Sequence, residues 1–430
     1  MLRSVLLDGF RSFQSPTTLP FAPLTILAGP NNAGKSSVIH ALLAFVQSEQ
    51  AQSGDALLLN GPWCDLGGFD QVVCAALPVD RRRFSVGLTG EGSAGASVDT
   101  LWAFGPPQDQ GLASAPVLNV AYAVVNASGH LRRQSPDGFL WAEESNDERG
   151  PVKHNGQGTF AHPGSASGTY SHPLQIVGQP PIKAHLSQPL SLAPIAASRT
   201  HYISAFRSPP QPLYAPRTSA VGPPLGRYGE HTAELLFRNR TQRTEILMPG
   251  APGDGSPQPV LPAVNAWWSH IFDGNLALQI DAPARLGFTL AIDTPSAERL
   301  GLGQVGLGLS QALPIVSSCL VSRPGDLILV ETPEAHLHPG AQHRLTSLFV
   351  ELVRHGRQVV VETHSEHIVN AVRLAVKAGF PPEDVSIVFF QQEAGRTVVQ
   401  TVELDPRGRA LRWPAGFFDQ AAADLTELLR

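Results

Sequence analysis

Hydrophobic and polar residues alternate through Arg3–Phe10 (RSVLLDGF), the period of a half-buried strand. Pro23–Gly29 (PLTILAG) is a short apolar run, as in a strand buried on both faces. The glycine-bearing GPNNAGKSS follows, and Ser37–Gln47 (SVIHALLAFVQ) has the period of a helix. The last third of the chain is the densest in pattern. Asp326–Glu331 (DLILVE) and Gln358–Ser365 (QVVVETHS) predict two more buried strands, followed by helical Ala341–His355 and Glu366–Ala378. Val305–Val321 (VGLGLSQALPIVSSCLV) reads as a glycine-rich turn opening a helix. Apolar strands alternating with helices predict a mostly parallel sheet covered on both faces.

The middle is patterned differently. Leu57–Val73 (LLLNGPWCDLGGFDQVV) reads as two short strands broken by glycine and proline. From Ser93 to Pro224 the composition shifts to Gly, Ser, Ala, Pro and Gln, with strand-like PVLNVAYAVVN and HYISAF inside it and RFSVGL just before. Pro136–Pro181 has the weakest pattern and is expected to be a mobile insertion. His231–Arg240 and Pro262–Phe272 predict helices, and Leu276–Asp281 with Gly287–Asp293 predict a hairpin. No heptads separate the phosphate-loop-like segment from the glycine-rich turn, which excludes a long coiled coil there.

Composition narrows the function classes. The chain has 430 residues and a formal net charge of −5, which argues against a surface built wholly for nucleic acid. The arginine clusters Arg81-Arg82-Arg83 and Arg238, Arg240, Arg243 read as solvated faces before nucleic-acid contacts. Three cysteines without metal-site spacing point to a reducing cytoplasm. No apolar run approaches the ~20 residues needed to span a bilayer, and the N-terminus makes a poor signal peptide. Lysine occurs only at positions 35, 153, 183 and 377, which makes the placement of Lys35 informative.

Gly29-Pro30-Asn31-Asn32-Ala33-Gly34-Lys35-Ser36 fits G-x-x-x-x-G-K-[ST] between a strand and a helix. Backbone N–H groups of such a loop cradle phosphates, Lys35 reaches the β- and γ-phosphates, and Ser36 ligates Mg²⁺. Gly29, Asn31, Asn32, Gly34, Lys35, Ser36 and Ser37 are the expected nucleotide contacts. Glu331 ends a buried strand, where an acid can share Mg²⁺ with Ser36, and His364 ends the next, within reach of a γ-phosphate. Gly306, Gly308, Ser310 and Gln311 open a helix, an anion site that would serve a second molecule's nucleotide. His336, His338 and His343 invite a zinc reading, which Pro339 disfavours because it suits a loop better than a metal cage.

Together DGFRSF, GPNNAGKSS, VGLGLSQALPIV, LILVETPEAHLHP and VVVETHSEHIV resemble the ABC-type ATPase heads of the RecF/SMC/OLD group, close to the AAA-like ATPases of bacterial defence loci. LNGPWCDLGGFD, HYISAFRSPP and GRYGEHTAELL resemble that group's lobe and linker segments, and LRWPAGFFDQ a short C-terminal domain of unknown function. The resemblance implies an α/β P-loop fold with a mostly parallel central sheet, an antiparallel β lobe and insertions. With the composition shift at Ser93–Pro224, which the resemblance hardly covers up to Gln188, the chain divides into residues 1–92 (head with phosphate loop), 93–224 (β-rich insertion or lobe, partly mobile), 225–380 (second part of the head) and 381–430 (short C-terminal domain). The resemblance also implies ATP and Mg²⁺ as ligands and a homodimer around ATP, with Lys35 of one chain facing Ser310 of the other. Further implied are a separate effector protein, no membrane, and a role as a switch in anti-phage defence. A RecF-like DNA-repair ATPase and a non-hydrolysing ATP-dependent scaffold are the alternatives.

The same resemblance places Thr332 at the general base, where a threonine hydroxyl cannot accept a proton as a carboxylate does. Glu334, two positions on, is the other candidate for orienting water. The expectation is slow hydrolysis.

Overall fold

The computed structural model describes the chain except at residues 52, 54–56, 92–96, 107–116, 126–129, 136–137, 143–193, 248, 250–255, 284–285, 415, 417, 419–423, 425 and 430. The N-terminal strand β1 (Leu2–Asp8) buries Leu2, Val5 and Leu7. After β2 (Thr17–Pro20) comes β3 (Leu24–Ala28), buried at all five positions, and then the long helix α1 (Lys35–Ala51). The short helix α2 (Phe69–Val72) leads to β4 (Phe84–Glu91), β5 (Ser97–Gly105), β6 (Val117–Val125), β7 (His130–Ser135) and β8 (Gly138–Ala142). β9 (Thr200–Ile203), α3 (Thr232–Asn239) and a two-stranded ribbon of β10 (Arg243–Thr244) and β11 (Gln258–Pro259) follow. Next are α4 (Val260–Phe272) and an antiparallel trio of β12 (Ala277–Asp281), β13 (Thr289–Thr294) and β14 (Ala297–Gly301). The chain continues through α5 (Leu307–Val321), β15 (Leu327–Glu331), α6 (Pro339–Arg354), β16 (Gln358–Thr363) and α7 (Glu366–Lys377) to β17 (Val385–Glu393) and β18 (Arg396–Val402).

The central sheet has the order β18-β17-β3-β16-β15-β9, parallel except for the β17–β18 hairpin at its edge. Its strands are apolar on both faces because both faces are covered. Ile328 and Val330 face a core shared with α3 to α7, while Leu327 and Leu329 face a second core shared with α1 and the antiparallel lobe. α1 is apolar around most of its circumference because it lies between two sheets: Phe45 packs on Trp102 and Phe104 of β5 with ring centroids 4.6 and 6.1 Å away. The lobe is a seven-stranded sheet, β2-β1-β4-β5-β6-β7-β8.

Several expectations differ from the fold. Leu57–Val73 forms no strand beyond isolated Asn60–Asp65 and Phe10–Val73 bridges; the Asn60 side chain takes the backbone N–H groups of Leu66 and Gly67, and Phe69–Val72 is helical. The expected boundary between residues 92 and 93 separates two strands that pair, since β4 and β5 run antiparallel from Phe84–Phe104 to Glu91–Ser97. β9, placed in the insertion, is instead the edge strand beside β15. Within residues 381–430, β17 pairs in parallel with β3 and so joins the central sheet. Within the expected mobile insertion, residues 138–142 form β8, and residues 143–181 lie outside the described residues.

Candidate functional site

The loop after β3 is held by its glycines. Gly29 has φ 146° and Gly34 φ 100°, and Asn32 is left-handed at φ 61°. A side chain at Gly29 would collide with the Phe390 carbonyl, and one at Gly34 would meet Thr397 Oγ1 at 2.6 Å. The β17–β18 hairpin therefore backs the loop directly. Gln392 Nε2 donates to the Asn32 carbonyl at 2.7 Å, and Thr397 Oγ1 donates to the Ala33 carbonyl at 3.0 Å. Lys35 is buried, and its Nζ donates to the carbonyls of Gly29 (3.0 Å) and Pro30 (2.7 Å). Burial lowers its pKa, opposed by Glu362 and Glu334. A cavity of about 480 Å³ opens over the loop, bordered by Asn31 through Ser37, Glu362 and His364. α1 points its N-terminus at this space with no acidic residue in its first turn.

Two carboxylates stand beneath the loop. Glu331 and Glu362 are register partners at the ends of adjacent parallel strands. Ser36 Oγ donates to Glu362 Oε1 at 2.7 Å. Glu331 Oε2 accepts from Tyr202 Oη (3.1 Å) and from the Ala205 N–H (3.2 Å). Burial and the Glu331 carboxylate push the Tyr202 phenol far above its ordinary value, so it stays a donor. Glu331 Oε1 and Glu362 Oε2 are buried without a hydrogen-bond partner, although His40 Nε2 stands 3.4 Å from the former. Burial and the neighbouring Glu331 push Glu362 up to about 7, against the Ser36 hydroxyl and Lys35.

The turn after β15 is constrained. Thr332 has φ 40°, and its N–H donates to the Glu362 carbonyl at 2.8 Å. Arg207 Nη2 donates to the carbonyls of Glu331 (2.8 Å) and Thr332 (3.1 Å). Glu334 spends both oxygens on the end of β16: Oε2 accepts from Thr363 Oγ1 (2.9 Å) and Oε1 from the His364 N–H (2.6 Å). Burial raises its pKa. His364 borders the cavity, and burial and Lys35 lower its pKa.

The glycine-rich turn lies outside this chain's own cavity. Gly306 caps α5, and a side chain at Gly308 would meet the His336 carbonyl at 2.6 Å. Ser310 is buried, with its Oγ donating to the Leu307 carbonyl at 2.9 Å, and Gln311 is buried beside it. His338 is an N-cap, its Nδ1 accepting from the Gly340 N–H at 3.2 Å. Among the described residues no three His, Cys, Asp or Glu side chains form a metal cluster.

The structure thus gathers Asn31, Asn32, Gly34, Lys35, Ser36, Ser37 and His364 around one cavity, leaves Gly29 off its lining, and sets Glu331 at the end of β15, beside Glu362. Sequence reasoning missed Glu362, Tyr202 and Arg207. A signal for Glu362 was present: it is an acid closing an apolar strand, as Glu331 is.

Three family models match parts of the chain. An AAA ATPase domain covers residues 1–82, an AAA domain described as putative AbiEii toxin, Type IV TA system, covers 292–370, and a protein of unknown function (DUF3696) covers 380–428. The chain is 56% identical over 50 residues to the chromosome partition protein Smc of Mycolicibacterium paratuberculosis and 54% identical over 50 residues to that of Mycobacterium tuberculosis. Each match spans 11% of this chain and only 4% of the relative. Among solved structures, the SMC head domain from Thermotoga maritima is similar at 12% identity and TM-score 0.39, covering 94% of this chain and 99% of that one. The SmcHead bound to the C-winged helix domain of ScpA is similar at 12% identity and TM-score 0.47, covering 94% and 98%.

Proposed function

We propose that this chain, an ABC/SMC-like AAA-type ATPase with a short C-terminal segment of unknown function, binds Mg²⁺ and ATP, hydrolyses slowly and works as a switch. The observation that carries the reading is the convergence of Lys35 and Ser36 with Glu331 and Glu362 at the ends of parallel strands. The buried oxygens without partners fit a hard divalent cation, which would be held by Ser36 and Glu331. When bound, Mg²⁺ neutralises charge on the phosphate oxygens. The loop N–H groups and the α1 N-terminus receive the phosphates. Lys35 would exchange the Gly29 and Pro30 carbonyls for phosphate oxygens, and His364, on the border of the cavity, would donate to the terminal phosphate.

Slow turnover follows from the acidic turn. Thr332 offers no carboxylate, and both oxygens of Glu334 are committed to Thr363 and His364. A missing base leaves positioning and charge stabilisation to carry the reaction, at a loss of roughly 10²–10⁴-fold in rate. The same two residues favour the second reading, a scaffold that binds ATP without hydrolysing it. Phosphate release by the purified chain, compared with Lys35→Ala, separates the two.

ATP would join two chains, with the exposed Gly306–Leu307 turn of one against the nucleotide of the other. The signal would pass to a separate effector protein. A role in anti-phage defence is supported by the toxin–antitoxin description of the model matched at residues 292–370. Three unpaired buried cysteines support a cytoplasmic setting.

A further inference from the structure

A phosphate-loop magnesium site ordinarily needs one protein carboxylate, because phosphate oxygens and water complete the shell. This chain has two. Glu331 and Glu362 are 5% and 4% exposed and lie opposite one another on adjacent parallel strands. Each has one oxygen in use and one without a partner. Glu331 Oε2 accepts from Tyr202 and Ala205, and Glu362 Oε1 accepts from the Ser36 hydroxyl, while Glu331 Oε1 and Glu362 Oε2 are buried and accept no hydrogen bond.

The nearby cations do not fill the gap. Lys35 Nζ is turned to the Gly29 and Pro30 carbonyls, and Arg207 Nη2 to those of Glu331 and Thr332. His40 Nε2 stands 3.4 Å from Glu331 Oε1 without a hydrogen bond. Two adjacent buried carboxylates, each with an oxygen that accepts no hydrogen bond, are unfavourable without a close cation, and hard oxygen ligands of this kind select Mg²⁺ or Mn²⁺.

We propose that Glu362 is a second carboxylate of the metal site and that Glu331, Glu362 and the Ser36 hydroxyl bind a divalent cation before any nucleotide arrives. Ser36 Oγ donates its hydrogen bond to Glu362 Oε1, which would leave the hydroxyl lone pairs for the cation and Glu362 Oε2 for the same ion. Three protein oxygens then hold the ion without phosphate. The proposal rests on reading this cavity as the nucleotide site, but it concerns the nucleotide-free chain.

The test is Mn²⁺ titration of the full chain without nucleotide, followed by electron paramagnetic resonance of the free ion, with Mg²⁺ as competitor. One Mn²⁺ per chain is expected, displaced by Mg²⁺. Glu362→Gln and Glu331→Gln should each weaken it by about tenfold or more, the range seen when a metal's supporting groups are removed. Ser36→Ala should weaken it as well, and gives a second reading if a glutamine variant does not fold. Lys35→Ala should keep the ion while losing ATP. A wild type that takes up no Mn²⁺ without nucleotide overturns the proposal, as does a folded Glu362→Gln chain that binds it as tightly as wild type. Mn²⁺ binding by a chain that never binds ATP would sink the ATPase reading and leave this one standing. ATP binding with no nucleotide-free Mn²⁺ would do the reverse.

Discussion

Replacing Arg207 by alanine separates the stability of the fold from the geometry of the acidic turn. Thr332 is left-handed at φ 40°, a conformation a β-branched residue holds only under constraint, and residues so placed cost about 1–3 kcal/mol. Arg207 Nη2 supplies the constraint through the carbonyls of Glu331 and Thr332. Two hydrogen bonds from a charged donor contribute about 3–6 kcal/mol together. Against them stands desolvation: burial pushes the Arg207 guanidinium down to about 10, despite the nearby Glu334 and Glu331 carboxylates. The fall from its ordinary value corresponds to roughly 3 kcal/mol, and Nε and Nη1 have no partners. The opposing effects nearly cancel, so Arg207→Ala should cost the fold no more than about 3 kcal/mol. The freed turn should nevertheless misplace Glu331 and Thr332 and slow hydrolysis by roughly 10²-fold, as an ångström-scale displacement does. Urea unfolding and single-turnover ATP hydrolysis read the two separately. Unchanged turnover in a destabilised variant would show that Arg207 only props the fold; a stability loss well beyond this range would show that the cancellation is wrong.

Thr332→Glu should raise single-turnover hydrolysis by about 10-fold or more; an unchanged rate there, with collapse in Glu334→Gln, would place the base at Glu334 instead. Gly34→Ala meets Thr397 Oγ1 at 2.6 Å in a left-handed backbone, so ATP binding should fall sharply, and normal affinity in calorimetry would contradict the reading of the loop. Gly308→Ala drives a methyl against the His336 carbonyl and should destabilise by about 1–3 kcal/mol in thermal unfolding. Ser310→Arg should prevent an ATP-dependent dimer in sedimentation; a variant that dimerises as wild type does would remove Ser310 from the interface.

The phosphate loop was legible because its determinants are local: two glycines, a lysine and a serine within eight positions, between an apolar strand and a helix. Glu331 and His364 were legible for a similar reason, as polar residues ending apolar runs. Glu362 carries the same signal, but its importance comes from the register that sets it opposite Glu331 and from the Ser36 contact 326 positions away in sequence. Arg207 and Tyr202 act on Glu331 across more than a hundred residues, which no spacing reveals. The Leu57–Val73 segment misled because buried leucines beside a side-chain-capped turn look like strand ends. β17 joins the sheet beside β3, far from it in sequence, a pairing that no local pattern reveals.

ATP binding by the full chain, measured by calorimetry with Mg²⁺ for wild type and Lys35→Ala, decides whether the cavity over the glycine loop is a nucleotide site. One ATP per wild-type chain is expected, with a loss of about 10²-fold or more in the variant, since Lys35 would contribute charged hydrogen bonds to two phosphates. A folded Lys35→Ala chain with undiminished affinity, or a wild type that binds no ATP, would contradict it.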